Sequence, residues 1–334
     1  MTLRKTLVSI LIPAYNAEKW IRDTILSAIN QTWPYIEVIV VDDGSSDNTF
    51  AIAKTFESNS VKVVSQENKG ASTTRNNCLA MAQGDFIQWL DADDLLAPNK
   101  ISLQLNAFIG NHLELFSSSF AEFYVNPEKA TFIPSVLWND LEPIDFLLAI
   151  FTKNLWMNPS VWLVNRRLAE LAGPWDERLS LDDDGEYFSR VVAACDRINF
   201  VPEARIYYRR HSVSSLSKSV SDKACESLLL SLSLRIGQLL QLEDSERTRQ
   251  ASINLLQTWL DYFYPEKKDL LNRAYDLAIY LGGTLTPPKL SWKYQPIKTV
   301  FGWEAAKRFR KTVSNIKLNA HVMRDELFSA YSRK

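Results

Sequence analysis

The stretch 85-DFIQWLDADDLLAP-98 decides the fold. Its apolar run, Phe86 to Leu90, ends on three carboxylates, Asp91, Asp93 and Asp94. A short run rich in aromatic and branched residues reads as a strand buried on both faces of an α/β sheet. Ligands in such sheets bind outside the carboxyl ends of the strands, so the three acids stand where a ligand would sit. Crowded carboxylates repel one another unless a cation or hydrogen bonds compensate. A hard divalent ion shared with a diphosphate would do so. The alternative is a solvated acidic loop before a helix opened by Pro98.

Upstream, Leu7 to Ile12 is an apolar strand ended by Pro13. Asn16 is placed to cap a helix whose apolar stripe is Ile21, Ile25, Ala28 and Ile29. Ile36 to Val41 is a second buried strand, running into the turn-forming Asp42-Asp43-Gly44-Ser45-Ser46-Asp47 and a helix through Phe56. Val61 to Val64 is a third strand, Asn68 to Ala71 a break, and Ser72 to Ala82 a helix ended by Gly84. Strands and helices alternating at this spacing predict crossover units, hence a Rossmann-like, mostly parallel sheet flanked by helices. Right-handed crossovers put all the strand ends on one rim. That rim carries Pro13-Ala14-Tyr15, Asp42-Asp43, Gly70 with Arg75, and Asp91 with Asp93. It has neither the Gly-x-Gly-x-x-Gly turn of a dehydrogenase nor a Walker phosphate loop.

Composition removes other classes. The 334 residues are 46% hydrophobic and 23% charged, with a net charge of -1, so nothing global points to a nucleic-acid partner. Cys78, Cys195 and Cys225 form no metal or redox pattern and suit a reducing compartment. The opening MTLRKTLVSILIPAYN reads as a first strand rather than a signal peptide. No stretch is apolar and long enough to span a bilayer. The expected location is cytoplasmic, with peripheral attachment at the inner face of the membrane left open.

VSILIPAYN, VIVVDDGSSDNT, NKGASTTRNNCL and GDFIQWLDADD, in this order and spacing, resemble the inverting glycosyltransferases of family 2, which have the GT-A fold. The resemblance covers roughly residues 6–212. It implies transfer of a sugar, in polysaccharide or glycoconjugate synthesis, from a nucleotide diphosphate donor with Mg²⁺ or Mn²⁺ as cofactor. By motif position, Pro13, Ala14 and Tyr15 would line the base pocket and Asp43 would hydrogen-bond the base, most often uracil. Arg75 would sit near the nucleotide, Asp91 near the ribose, and Asp93 would ligate the metal. Asp94 reads as a cap for the next helix. An aromatic face at Tyr15 and a buried carboxylate at Asp43 are also what a base requires on physical grounds.

Past Pro98 the pattern predicts a helix to about Ile109, a strand from Leu115 to Val125 and a short helix from Ile144 to Phe151. In the family this region faces the acceptor; Trp138, Trp156 and Trp162 are candidates to stack on sugar rings, or are core aromatics. Asp182-Asp183-Asp184, followed by a helix with Arg190, resembles the family's second acidic motif. Aligned on Arg190, Asp183 takes the place of the usual Glu and Asp184 that of the catalytic base. Asp182 is expected only to cap the helix. Arg209-Arg210-His211 resembles the late His-containing segment, which implies a metal or diphosphate contact for His211 and a supporting charge from Arg209 and Arg210.

No family motif remains beyond Ser221. Leu228 to Leu242, Ile253 to Phe263 and Leu270 to Leu281 are helical, Gly282-Gly283 and Pro287-Pro288 mark a linker, and a basic amphipathic helix spans about residues 300–318. Its apolar stripe, Ala306, Phe309, Val313 and Ile316, can lie on an anionic membrane, on the catalytic domain or on a second subunit. The expected division is a GT-A domain over 1–218, with a donor half of about 1–110 and an acceptor half of about 111–218, and a helical C-terminal appendage over 219–334. The expected activity is metal-dependent single displacement by a hexosyl-type transferase, probed against two rivals. A sugar-1-phosphate nucleotidyltransferase would need a Gly-rich signature with Arg and Lys after the first strand. A non-catalytic nucleotide-sugar-binding module would keep the fold without the chemistry. The partners expected are a nucleotide-sugar donor and a saccharide, lipid-linked or protein acceptor.

Overall fold

The computed structural model describes residues 5–111, 113–210 and 221–331. Strands β1 (Val8–Ala14), β2 (Ile36–Asp42), β3 (Val61–Ser65) and β4 (Phe86–Trp89) alternate with helices α1 (Ile21–Ile29), α2 (Thr49–Lys54) and α3 (Ala71–Met81). Each of Ile10, Leu11, Ile12, Val40 and Ile87 is fully buried, which is why these runs carry no polar alternation. Burying one such side chain contributes about 1.5–3 kcal/mol, and both sheet faces are covered.

The strand order is β3-β2-β1-β4-β7-β6-β8-β5. The first four strands are parallel. The chain steps outward from β1 to β3 and then returns to the other side of β1 as β4. The switch point therefore lies between β1 and β4, outside their carboxyl ends, where open sheets bind ligands. The remainder is mixed rather than parallel. β7 (Leu163–Asn165) runs antiparallel to β4 and to β6 (Glu114–Phe123). β8 (Arg197–Arg209) runs parallel to β6, and its end pairs with the short β5 (Leu95–Leu96). That last pairing carries Arg209 back beside the acidic loop after β4.

Between the strands lie α4 (Lys100–Asn106), α5 (Pro143–Lys153), α6 (Arg166–Ala172) and α7 (Asp183–Ala194). Helices α8 (Asp222–Leu242), α9 (Glu246–Trp259) and α10 (Lys268–Tyr280) follow. Leu228, Leu232, Leu256 and Ala274 of these last helices belong to the same apolar core as the sheet.

Two local expectations change. Asn16 does not cap α1, which begins only at Ile21. It sits at φ +49°, and its side-chain oxygen accepts from Ser46 N at 2.9 Å, tying the β1 loop to the β2 loop. The C-terminal helix α11 is longer than expected, Gln295–Tyr331, and is broken at Gly302, whose φ of +84° no helix accommodates. Its buried side is Trp303 and Ala306, packed with Leu290 against Tyr264. Phe309 and Ile316, expected on the packing stripe, are 49% and 63% exposed.

Candidate active site

The rim is built from strand ends. Pro13 and Ala14 close β1, and Tyr15 beyond them is 52% exposed, an uncovered ring at the switch point. At the end of β2, Asp43 is buried and accepts from Lys69 N at 2.8 Å, Gly70 N at 2.9 Å and Gln66 Nε2 at 2.8 Å. It thereby holds the turn that opens α3, where Gly70 takes φ +91°. Its neighbour Asp42 is equally buried. Ser45 N and Ser65 Oγ donate to Oδ2, while Oδ1 has no hydrogen-bond partner among the described residues. A buried carboxylate oxygen without a donor costs about 1–3 kcal/mol or more. Sequence reasoning singled out Asp43 and passed over Asp42; the doubled acid was the available signal.

The loop after β4 carries three acids with three different surroundings. Asp94 is fully buried and accepts from Asn158 Nδ2 at 2.8 Å and Arg209 N at 2.9 Å. Burial, with Asp93 and Asp91 close by, pushes its carboxyl well above the usual range. It does not cap the next helix: α4 starts at Lys100 after Asn99. Asp94 ties the acidic loop to β8 and to the 158–160 turn instead. Asp91 pairs with Arg75 at 3.1 Å; burial pushes its carboxyl upward against the pull of that guanidinium. Asp93 is half-buried between them, and its carbonyl accepts from Arg209 Nε at 2.8 Å.

The second acidic motif opens α7, and its three members diverge. Asp182, in the left-handed region at φ +59°, makes no side-chain cap. It is turned away to α8, where Ser231 Oγ and Arg235 Nη1 donate to Oδ2 at 2.6 and 2.8 Å. Asp183 accepts from Arg75 Nη1 at 2.7 Å. Asp184 accepts only from Gly185 N at 2.8 Å among the described residues. Burial, then Asp183 and Asp182 beside it, push the Asp184 carboxyl up to about 7. The dipole at the start of α7 favours the ionised form; here burial and two flanking carboxylates outweigh it. A half-buried carboxyl held near neutrality has the property a general base needs.

Arg75 joins the two motifs. It is buried, not a solvated helix residue, and its guanidinium lies 4.5 Å over the Trp175 ring. Trp175 stacks on Tyr187 at 4.1 Å and meets Trp89 edge-on at 5.2 Å. One cation on an aromatic floor thus bridges Asp91 at the end of β4 and Asp183 at the start of α7. Burial works against its charge, but the carboxylates of Asp183 and Asp91 outweigh it and hold its proton more firmly than usual.

The remaining expected residues are more dispersed. Trp156 is 47% exposed and packs on Phe120 at 4.9 Å and Tyr208 at 5.4 Å, an aromatic shelf beside β8. Trp162 is core, stacked on Phe188, so it cannot meet a sugar; Trp138 is half-buried on Phe200. Arg209 is buried between Trp20 and Phe123, which withdraws it from any diphosphate. Arg210 pairs with Glu122 at 3.4 Å on the surface. His211 lies outside the described residues.

Among the described residues no three His, Cys, Asp or Glu side chains converge as a protein-only metal cage. An acidic loop with two half-buried carboxylates, of which Asp93 is the candidate ligand, fits the other mode. In it a small hard cation takes one or two carboxylates and completes its shell with substrate phosphates and water.

Residues 9–159 match the family described as glycosyl transferase family 2. They form a family 2 glycosyltransferase domain. The UDP-Glc:alpha-D-GlcNAc-diphosphoundecaprenol beta-1,3-glucosyltransferase WfgD of Escherichia coli is 36% identical over 135 residues. That match takes in 38% of this chain and 53% of WfgD, so the chain spans about half the length of this curated relative. Staphylococcus aureus TarS 1-349 in complex with UDP-GlcNAc superposes with a TM-score of 0.67 at 19% identity, covering 82% of this chain and 81% of that one. The mannosyltransferase PcManGT of Pyrobaculum calidifontis, in complex with GDP-Man and Mn²⁺, gives 0.55 at 15% identity, covering 97% and 88%. At such identities the likeness is one of fold. The fold is the GT-A fold with additional C-terminal helices.

Proposed function

We propose that the protein is an inverting glycosyltransferase that moves a sugar from a nucleotide diphosphate donor, a UDP-sugar, to an acceptor hydroxyl. The observation that carries this reading is Asp184, raised to about 7 and next to Asp183, which Arg75 ties to Asp91 of the first acidic motif. Inversion needs attack opposite the departing diphosphate, hence a base and a diphosphate site contributed by different parts of the chain. In one displacement the acceptor oxygen bonds to the anomeric carbon as the bond from that carbon to the diphosphate oxygen breaks. Asp184 takes the acceptor proton, and the bonding pair leaves with the diphosphate. Asp183 and Arg75 fix the direction of the helix that carries the base. Asp93 would hold a Mg²⁺ or Mn²⁺ ion, which supplies positive charge against the charge growing on the diphosphate.

Tyr15 and the Asp42-Asp43 pair flank the switch point and support base recognition there. Uracil is favoured by the donor in the name of WfgD and by the UDP-GlcNAc held by TarS. The shelf of Trp156, Phe120 and Tyr208 supports a saccharide acceptor, free or lipid-linked. Calorimetry with UDP, GDP and CDP, each with Mn²⁺, tests the donor. Equal affinity for all three removes the uracil assignment. Metal-dependent hydrolysis of a bound nucleotide sugar separates the enzyme from a non-catalytic binding module.

A further reading concerns α11. Among the described residues no helix is long and apolar enough to cross a membrane. Beyond the buried Trp303 and Ala306, Phe309, Ile316 and Met323 recur every seventh residue on one exposed face, flanked by Arg308, Lys311, Lys317 and Arg324. Cations around an apolar stripe support docking to an anionic lipid surface, each basic residue adding about 1 kcal/mol. Sedimentation with anionic and neutral vesicles at low salt decides it. Absence from the anionic pellet refutes the reading, and a stable dimer in solution replaces it with self-association.

A further inference from the structure

Helix α8 presents an unexpected polar edge. Among its leucines, Ser227, Ser231 and Arg235 stand four residues apart on one face and are all buried. All three face the segment that leads into α7. Ser227 Oγ accepts from Ser180 N at 2.7 Å and Leu181 N at 3.0 Å, and donates to Leu181 O at 3.0 Å. Ser231 Oγ lies 3.0 Å from Asp182 O and 2.6 Å from Asp182 Oδ2. Arg235 completes the row with its ion pair to Asp182 at 2.8 Å. Asp182 itself holds a backbone conformation that non-glycine residues rarely adopt. An unfavourable conformation persists where its surroundings over-determine it; here the surroundings are α8.

The pair is also pressed against the helix that bears the acids. A Cβ at Gly185 would lie 2.2 Å from Asp182 Oδ1 and 2.9 Å from Arg235 Nη1. Glycine is a poor residue inside a helix, so its presence in the first turn of α7 answers to this contact. Asp182 is fixed from behind, Asp183 from in front by Arg75, and Asp184 stands next in line.

We propose that Ser227, Ser231 and Arg235 of α8 are positioning residues for the reaction, holding Asp182 and Gly185 so that Asp184 meets the acceptor hydroxyl. This rests on the reading of Asp184 as the base. It makes α8 a working part of the site, although the sequence has no glycosyltransferase motif there. The charges that face Asp184 are Asp182 and Asp183 of its own turn, Asp91 after β4 and Arg75 of α3. Arg235 acts on it through Asp182. Removing Arg235 leaves Asp182 negative and without its cation beside the base, with only Ser231 among the described residues still donating to it, and this holds the Asp184 proton more tightly.

The experiment uses the full chain in four forms: unmodified, Arg235→Met, Asp182→Asn/Arg235→Met and Gly185→Ala. Carboxyl ¹³C titration reads Asp184 directly, its signal assigned by its loss in Asp184→Asn. Transfer or hydrolysis of UDP-glucose and UDP-GlcNAc reads turnover, and UDP calorimetry reads donor binding. Arg235→Met is expected to raise the Asp184 midpoint by about one unit, the size of a tenfold change in proton affinity. Turnover at pH 7 should fall about fivefold, as the ionised fraction drops from a half to about a tenth, with UDP affinity kept within about threefold. The double variant removes the unpaired charge and should bring the midpoint back. Gly185→Ala should lose turnover although alanine is the better helix former. An unmoved midpoint and unchanged turnover in Arg235→Met overturn the proposal, as does loss of UDP binding in step with turnover. If Arg235→Met does not fold, Gly185→Ala carries the test, and normal turnover in it overturns the proposal. If the unmodified protein turns over no nucleotide sugar, the transferase reading has failed, while the titration still judges the role of α8.

Discussion

The Asp184 carboxyl, raised to about 7 from an ordinary value of 3.8, makes a prediction about rate and one about stability. A base must be ionised to accept a proton, so activity is lost as pH falls through the folded value. With a midpoint of about 7, roughly a tenth of the molecules carry the charged base at pH 6, half at pH 7 and about nine-tenths at pH 8. Turnover at saturating donor should therefore rise about tenfold from pH 6 to pH 8 and then level. Asp184→Asn removes the base and should cost about 10²–10⁴-fold, leaving donor binding in place. The stability effect runs the other way. Between 3.8 and about 7 the folded chain keeps a proton that the unfolded chain has released, so stability declines as pH rises through that window. Roughly three units correspond to about 4 kcal/mol at most, an upper bound that solvent screening at this half-buried carboxylate reduces. Asp184→Asn should thus melt no lower, and at pH 8 higher, than the unmodified protein. A radiolabel transfer assay over pH 5.5–9 and parallel thermal melts check both. A flat rate profile, or a normal rate in Asp184→Asn beside a dead Asp183→Asn, refutes the reasoning and moves the base by one residue.

Three further outcomes follow from the same geometry. Asp93→Asn keeps the shape but removes the charge a hard cation needs, so transfer should collapse, as it should in chelator; full activity in EDTA argues against the ion. Arg75→Met strands two half-buried carboxylates, Asp91 and Asp183, at once, and should lower stability in urea melts by about 1–3 kcal/mol; an unchanged stability shows that the bridge is not needed for folding. Asp43→Ala releases three hydrogen bonds on the turn at Gly70 and should weaken UDP binding at least tenfold by calorimetry, with unchanged affinity refuting a part for this corner in holding the base.

The first half of the sheet was legible because β1, β2 and β4 are largely apolar on both faces and β2 and β4 run into acids. Spacing alone then assembled the rim. What the residues could not show is how neighbouring acids divide their work. Asp43 takes two backbone amides and the Gln66 side chain of the 66–70 turn, while Asp42 takes Ser45 N and Ser65 Oγ on one oxygen. Asp94 looked like a helix cap, but β8 returns from more than a hundred residues away to claim it. Asp182, Asp183 and Asp184 are identical in type yet take three different partners, Arg235 of α8, Arg75 of α3 and the Gly185 amide. Trp162 and Trp156, six residues apart, divide into core and surface by the short turn at Pro159 between them. Apolar periodicity found α8 but hid its polar face, since Ser227, Ser231 and Arg235 recur among leucines at the helix's own spacing.

The aromatic floor beneath Arg75 has an optical consequence. Trp175 lies within 4.5 Å of a full positive charge, in contact with both Trp89 and Tyr187, at the junction of the two acidic motifs. Indole emission responds to the local electric field, and few of the ten tryptophans are so close to a guanidinium. A donor that draws Arg75 toward its diphosphate would change the field across that ring. The protein thus carries an internal fluorophore at its own switch point, by which occupancy of the cleft can be followed in real time without a label.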